Sequence, residues 1–102
     1  MRAWLKQVLR ELGARGYAAY ALVAEPPVPG PFRLPADAIV VALGPAAHVR
    51  LLSEPVRLAW TPEQAAQYIT LSIPWTAEEA REQAEEWRRG YTEAGVPVTE
   101  LS

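Results

Sequence analysis

The stretch YITLSIPWTAEEAREQAEEWRRGYTEAG, residues 68–95, decides the expected fold, because it holds the clearest strand pattern and the clearest helix start in the chain. Its first six residues, 68–73, alternate between apolar and polar side chains, which predicts a β-strand with one apolar face. The predicted apolar face consists of Ile69, Leu71 and Ile73.

A helix is predicted to begin at Thr76. Glu79 follows three residues later, which is the capping-box spacing. The apolar side chains of the helix recur every three or four residues and form one stripe. This stripe consists of Ala80, Ala84, Trp87 and Tyr91. Gly95 can adopt the left-handed backbone conformation that ends a helix, and Pro97 prevents the helix from continuing. We expect the stripe to pack on the strand 68–73.

The remaining elements follow from periodicity. Residues 3–13 carry apolar side chains at helical spacing and predict an N-terminal helix. Alternating or continuous apolar runs predict the strands 17–24, 39–43, 48–52 and 56–60, with an edge strand at 96–101. The run 39–43 is unbroken apolar, which is typical of a central strand buried on both faces.

Three segments leave alternatives open. Residues 45–52 are interpreted as a strand, although Pro45 also suits the first turn of a short helix. Residues 61–64 have helix-start chemistry, for which we expect either a single helical turn or a hairpin loop. Residues 25–36 hold five prolines and are interpreted as a proline-rich loop, either a stiff connector or a contact arm.

Together these elements predict one α+β domain spanning residues 1–102. Its core is a mostly antiparallel sheet of four to five strands. The N-terminal helix and the longer C-terminal helix are expected to pack on one face of that sheet.

Composition excludes several functional classes. The chain has no cysteine, so it has neither disulfides nor cysteine-based metal sites. Its net charge of −2 gives no global attraction for nucleic acid, and we expect no nucleic-acid partner. No apolar run approaches the ~20 residues that cross a bilayer, and we expect no membrane association and a cytoplasmic protein. Ten prolines and few thermolabile residues suit a thermophilic source, although a GC-rich genome would give the same bias.

No residue set predicts catalysis, and we expect neither a cofactor nor a metal ion. His48 is the only histidine and is interpreted as a surface strand residue, so base-activated nucleophiles have at most one imidazole. Asp37 is the only aspartate. The five glutamates between residues 78 and 86 lack histidine partners and are interpreted as a solvated helix face. An enzyme would need His48 in a pocket with Asp37 or a glutamate.

The aromatic residues are in surplus for so small a core. Trp60, Tyr68 and Trp75 all fall near the predicted hairpin and its exit into the helix. Aromatic clusters at a sheet edge are typical of protein–protein contacts. We therefore expect a non-catalytic domain that acts by protein–protein contact or self-association, as a homo-oligomer or with a protein partner. The alternative is a small-ligand or regulatory module with a pocket between sheet and helices.

The predicted order of elements is similar in outline to that of small phage tail-completion or neck proteins. The resemblance covers the placing of one helix before a sheet and of a second helix after a hairpin. It would imply an assembly role.

Overall fold

A computed structural model describes residues 2–25, 34, 37–71 and 74–101. The chain order of its elements is helix, three strands, three helices and a strand. The helices are α1 (Arg2–Ala14), α2 (Glu54–Ala59), α3 (Pro62–Thr70) and α4 (Ala77–Glu93). The strands are β1 (Ala18–Ala24), β2 (Ala38–Leu43), β3 (His48–Leu52) and β4 (Val98–Leu101). Of the predicted loop 25–36, only Glu25 and Leu34 are described.

The four strands form one antiparallel sheet in the order β3-β2-β1-β4. This confirms the α+β class and a four-stranded antiparallel sheet. The strands predicted at 17–24, 39–43 and 48–52 are present within one residue of their expected bounds, so the helical alternative for 45–52 is wrong. The edge strand expected at 96–101 is shorter and begins after Pro97.

The predicted hairpin of 56–60 and 68–73 is wrong, because α2 and α3 occupy this part of the chain. Residues 72 and 73 lie outside the described residues. The apolar alternation fails where it can be checked, since Ile69 is fully buried while Leu71 is 76% exposed. The alternation over 68–73 does not produce a strand, because Tyr68 and Ile69 belong to α3. In that helix Ile69 is buried together with Ala65 and Ala66.

The start of α3 explains why the chain is helical there. Thr61 Oγ1 accepts a hydrogen bond from the Gln64 amide at 3.2 Å, and Gln64 Oε1 accepts one from the Thr61 amide at 2.9 Å. Pro62 supplies a fixed φ in the first turn. Burial of Ala65, Ala66 and Ile69 then extends the helix to nine residues, beyond the single turn expected from the sequence.

The helices cover both faces of the sheet. Ala21 and Val23 of β1 pack with buried residues of α1 and α3, whereas Leu22 and Ala24 pack with those of α4. Strand β2 is buried on both faces, as its unbroken apolar sequence predicted. The prediction that α1 and the C-terminal helix share one face is therefore wrong. With α2 and α3 in place of a hairpin, α1 and α3 together cover one face and leave the other to α4.

The apolar stripes of the two long helices were identified correctly. Leu5, Val8 and Leu12 bury one side of α1. In α4, Ala80, Ala84 and Tyr91 are buried and Trp87 is half-buried. Their target is different from the one expected: this stripe packs in the same cluster as the β2 residues Ile39 and Val41, while Ile69 lies in the cluster on the opposite face.

Both ends of α4 have the predicted chemistry. Thr76 Oγ1 accepts from the Glu79 amide at 3.1 Å, and Glu79 Oε1 accepts from the Thr76 amide at 3.3 Å. Gly95 has φ = 76°, the left-handed conformation that glycine adopts without steric cost. The helix therefore ends where the sequence indicates.

Candidate interaction surface

A groove runs along β3 between α3 and α4, and we call it the edge groove. Strand β3 lies at one edge of the sheet, so it can be approached from the side. The groove encloses a volume of about 370 Å³. Its walls are Val49, Arg50 and Leu51 from β3, Tyr68 from α3, Gln83 and Trp87 from α4, and Trp75.

Three side chains stack at the α3 end of the edge groove. The Arg50 guanidinium carbon lies 4.9 Å from the centre of the Tyr68 ring, a cation–π contact. The Trp60 ring meets Tyr68 edge-on, with ring centres 5.0 Å apart and planes at 60°. Tyr68 remains 41% exposed. The stack therefore presents an ordered aromatic and cationic surface to the solvent.

The Arg50 Nε atom is buried and has no hydrogen-bond partner among the described residues. No described carboxylate forms an ion pair with Arg50 either. A buried donor without an acceptor costs free energy. Among the described residues that line the edge groove, Arg50 is therefore a cationic side chain without a carboxylate partner.

Trp75 is positioned by its backbone. Its amide donates to the Ala47 carbonyl at 2.6 Å, and its carbonyl accepts from the Ala47 amide at 3.2 Å. This isolated antiparallel bridge fixes the chain beside β3 immediately before α4 begins. The half-buried Trp75 ring consequently forms part of the groove wall.

The three aromatic residues predicted to form an interface belong to one surface region. Tyr68 and Trp75 line the edge groove, and Trp60 supports it through Tyr68. The backbone of Trp60 is also fixed to α1, because its carbonyl accepts a hydrogen bond from Trp4 Nε1 at 3.2 Å. Their role in an interface stays a prediction.

Sequence reasoning missed Arg50 and Trp87 as groove residues. Arg50 lies in the predicted strand 48–52, and it meets Tyr68 only because residues 62–70 are helical. Trp87 was assigned to the core, and it is only half-buried because it lies where α4 passes the sheet edge. The sequence signal for Arg50 was its position between the apolar residues Val49 and Leu51 of an edge strand.

His48 is not a surface residue, so that interpretation is wrong. It is 2% exposed, and its Nε2 atom lies 3.4 Å from the Tyr17 hydroxyl. Alternation along β3 does not place His48 in water, because the Tyr17 ring covers it with ring centres 5.7 Å apart. An enzyme was expected to need His48 in a pocket with Asp37 or a glutamate. Asp37 lines a cavity of about 200 Å³, and His48 is not among the residues that line it.

A second cluster, absent from the sequence analysis, surrounds Asp37. Its two carboxylate oxygens accept hydrogen bonds from the two terminal nitrogens of Arg57, and both residues are buried. Tyr91 is fully buried nearby, and this burial, followed by the charge of Asp37, raises the pKa of the Tyr91 hydroxyl to about 12. The sequence predicted a strand at 56–60, which includes Arg57. No periodicity relates this residue to Asp37, twenty positions earlier, so the ion pair was not predicted.

The five glutamates of α4 between residues 78 and 86 are all exposed, as predicted for a solvated face. Among the described residues, no three histidine or acidic side chains come together in a way that could hold a metal ion. None of the described helices is both long and apolar enough to cross a membrane.

No protein-family model, curated protein sequence or solved structure gives a significant match to this chain. The hairpin that contributed to the resemblance to phage tail-completion proteins is replaced by α2 and α3. That assembly role stays a prediction without further support.

Proposed function

We propose that this protein is a non-catalytic domain that acts by protein–protein contact, and that the edge groove is the surface through which it forms a homodimer. The observation that carries the proposal is the Arg50–Tyr68–Trp60 stack, in which Tyr68 is open to solvent and Arg50 Nε has no acceptor among the described residues.

The groove has the composition of an interaction hot spot. Tryptophan, tyrosine and arginine dominate the energetics of protein interfaces, since they combine a large apolar area with directional polar groups. Tyr68 and Arg50 are already held against each other, so binding would immobilise few additional rotamers. Leu71 extends the apolar area, because it follows Tyr68 by three residues and is 76% exposed.

Charge complementarity favours a second copy of the chain as the occupant. Arg50 brings an unpaired positive charge to the groove, and the α4 wall brings exposed carboxylates. Glu86 adjoins the groove, since its Oε2 atom accepts a hydrogen bond at 3.5 Å from Nε2 of the groove residue Gln83. A two-fold axis makes every contact occur twice, so Arg50 of each protomer can meet Glu86 of the other.

The proposal is tested by the mass of the protein in solution. Sedimentation velocity at micromolar concentration is expected to give twice the monomer mass of 11.2 kDa. Tyr68→Glu places a charge in the stack and is expected to give the monomer mass. Leu58→Glu is the matched control: Leu58 is 76% exposed and does not line the groove, so this variant is expected to remain dimeric.

A charge reversal examines the proposed pairing directly. Arg50→Glu alone is expected to dissociate the dimer, and Arg50→Glu combined with Glu86→Arg is expected to restore it. A wild-type protein that stays monomeric at every concentration would refute the homodimer. A dimer that is broken by Leu58→Glu and not by Tyr68→Glu would move the interface away from the edge groove.

A further inference from the structure

A partly enclosed cavity of about 200 Å³ lies between the first turns of α1 and α2 and the end of β1. Its apolar wall includes Leu5 and Val23, and its polar wall includes Arg57 and Glu54. Cavities of about 150 Å³ in protein cores hold benzene. This cavity therefore suits a ligand of about six to ten non-hydrogen atoms.

Arg57 lines this cavity, and two of its N–H groups have no acceptor among the described residues. Its Nη1 and Nη2 atoms donate to the two carboxylate oxygens of Asp37, and Nη1 also donates to the Leu52 carbonyl at 3.0 Å. Three of the five guanidinium N–H groups are thereby used. The Nε atom is buried and has no acceptor among the described residues, and Arg57 as a whole is 8% exposed.

The geometry of the guanidinium identifies the missing acceptor. The N–H of Nε and the second N–H of Nη2 are parallel on one edge of the planar group. Two parallel N–H donors match the two oxygens of a carboxylate, which is the usual bidentate partner of arginine. Asp37 occupies the other edge, so one guanidinium can hold two carboxylates.

The surrounding charges require that the ligand also be cationic. The cavity is lined by two guanidinium groups, on Arg2 and Arg57, and by three carboxylates, on Glu25, Asp37 and Glu54. A bare carboxylate would enter a site that is already net negative. Arg2 and Glu25 pair with each other, and Arg57 with Asp37, which leaves Glu54 without an ion-pair partner among the described residues. Glu54 precedes Arg57 by one helical turn, so both groups lie on the same side of α2.

We propose that this cavity binds a small aliphatic α-amino acid. Its carboxylate takes the free edge of Arg57, its ammonium group pairs with Glu54, and its side chain covers Leu5 and Val23. The volume encloses valine or leucine and is too small to enclose tryptophan. The proposal does not depend on the edge groove.

The test is an NMR titration of the ¹⁵N-labelled protein with L-valine, isovalerate and isobutylamine. Isovalerate lacks the ammonium group of valine, and isobutylamine lacks the carboxylate. L-Valine is expected to bind about tenfold more tightly than either analogue, because each loses a charge-assisted hydrogen bond. The Arg57 Nε–H resonance is expected to move downfield on titration with L-valine. Equal binding of L-valine and isovalerate, or a stationary Nε–H resonance, would overturn the proposal.

Two variants locate the site without relying on removal of the buried arginine. Glu54→Gln removes the partner of the ammonium group at an exposed position and is expected to weaken L-valine binding about tenfold, to the level of isovalerate. Val23→Phe fills the cavity and is expected to abolish binding. The control is Glu63→Gln, at the equivalent first turn of α3 and outside the cavity, which is expected to bind like the wild type. Unchanged binding by both Glu54→Gln and Val23→Phe would place the site elsewhere and refute the assignment.

Discussion

The guanidinium group of Arg57 holds the carboxylate of Asp37 in a two-point ion pair that is almost completely buried. The pair joins α2 to the residue that precedes β2, across twenty positions of sequence. Asp37 has φ = 49°, and its carbonyl accepts a hydrogen bond from the Ala24 amide at 2.6 Å. One residue therefore fixes the end of β1, the start of β2 and the position of α2.

Asp37→Asn is expected to lower the free energy of unfolding by about 3–5 kcal/mol, because it leaves a buried guanidinium without its counter-charge. Asparagine tolerates a positive φ, so the change acts on the charge and not on the backbone. Urea denaturation measures the loss. Adding Arg57→Met is expected to recover part of it, and Arg2→Met, which breaks an exposed pair, is expected to cost much less. A loss for Asp37→Asn as small as that for Arg2→Met would contradict a structural role for the buried pair.

Tyr91 is expected to make the protein sensitive to alkali. Burial raises the pKa of its hydroxyl from 10.0 to about 12, while the unfolded chain ionises near the ordinary value. The folded state keeps this advantage below pH 10 and loses it as the pH rises from about 10 to about 12, a change of about 2–3 kcal/mol. Denaturation curves across this pH range measure the effect. Tyr91→Phe is expected to remove this part of the loss, whereas Tyr68→Phe, at an exposed position, is expected to retain it.

The two capping boxes are expected to contribute similarly to stability. Thr61→Ala and Thr76→Ala each leave a helix amide without its acceptor, at a cost of about 1 kcal/mol. The single helical turn or hairpin loop expected from the sequence after Thr61 would give a smaller loss there than at Thr76. Since α3 has nine residues and buries Ile69, that difference is no longer expected. Thermal unfolding of both variants tests this, and a negligible loss at Thr61 alone would indicate that α3 begins later than Pro62.

The three-layer arrangement predicts which side chains act independently. Ile69→Ala is expected to cost about 2–5 kcal/mol, because Ile69 is completely buried between α3 and its neighbours. Combined with Trp87→Ala, the losses are expected to add within about 0.5 kcal/mol, since Trp87 packs on the opposite face of the sheet. A double-mutant cycle in urea measures the coupling. A clear coupling energy would favour direct packing of Trp87 on Ile69, as the sequence alone suggested.

The sequence by itself determined the elements whose signals are local. The capping boxes of Thr61 and Thr76 are formed, α1 and α4 bury the predicted stripes, and β2 is buried on both faces. Each of these depends on residues a few positions apart. The cap needs a side chain three residues from an amide, and the stripe needs a repeat of 3.6 residues.

Tertiary structure decided that residues 54–59 are helical, how far α3 extends beyond its cap, and where the long helices packed. A run such as 68–73 satisfies the strand period, but the cap at Thr61 and the burial of Ile69 against α1 favour the helix, and propensity over so few residues is too weak to compete. The candidate sites have the same origin. Arg50 meets Tyr68, and Arg57 meets Asp37, across eighteen and twenty positions. Such contacts exist only after the helices have been placed on their faces of the sheet, because no periodicity in the chain relates residues so far apart.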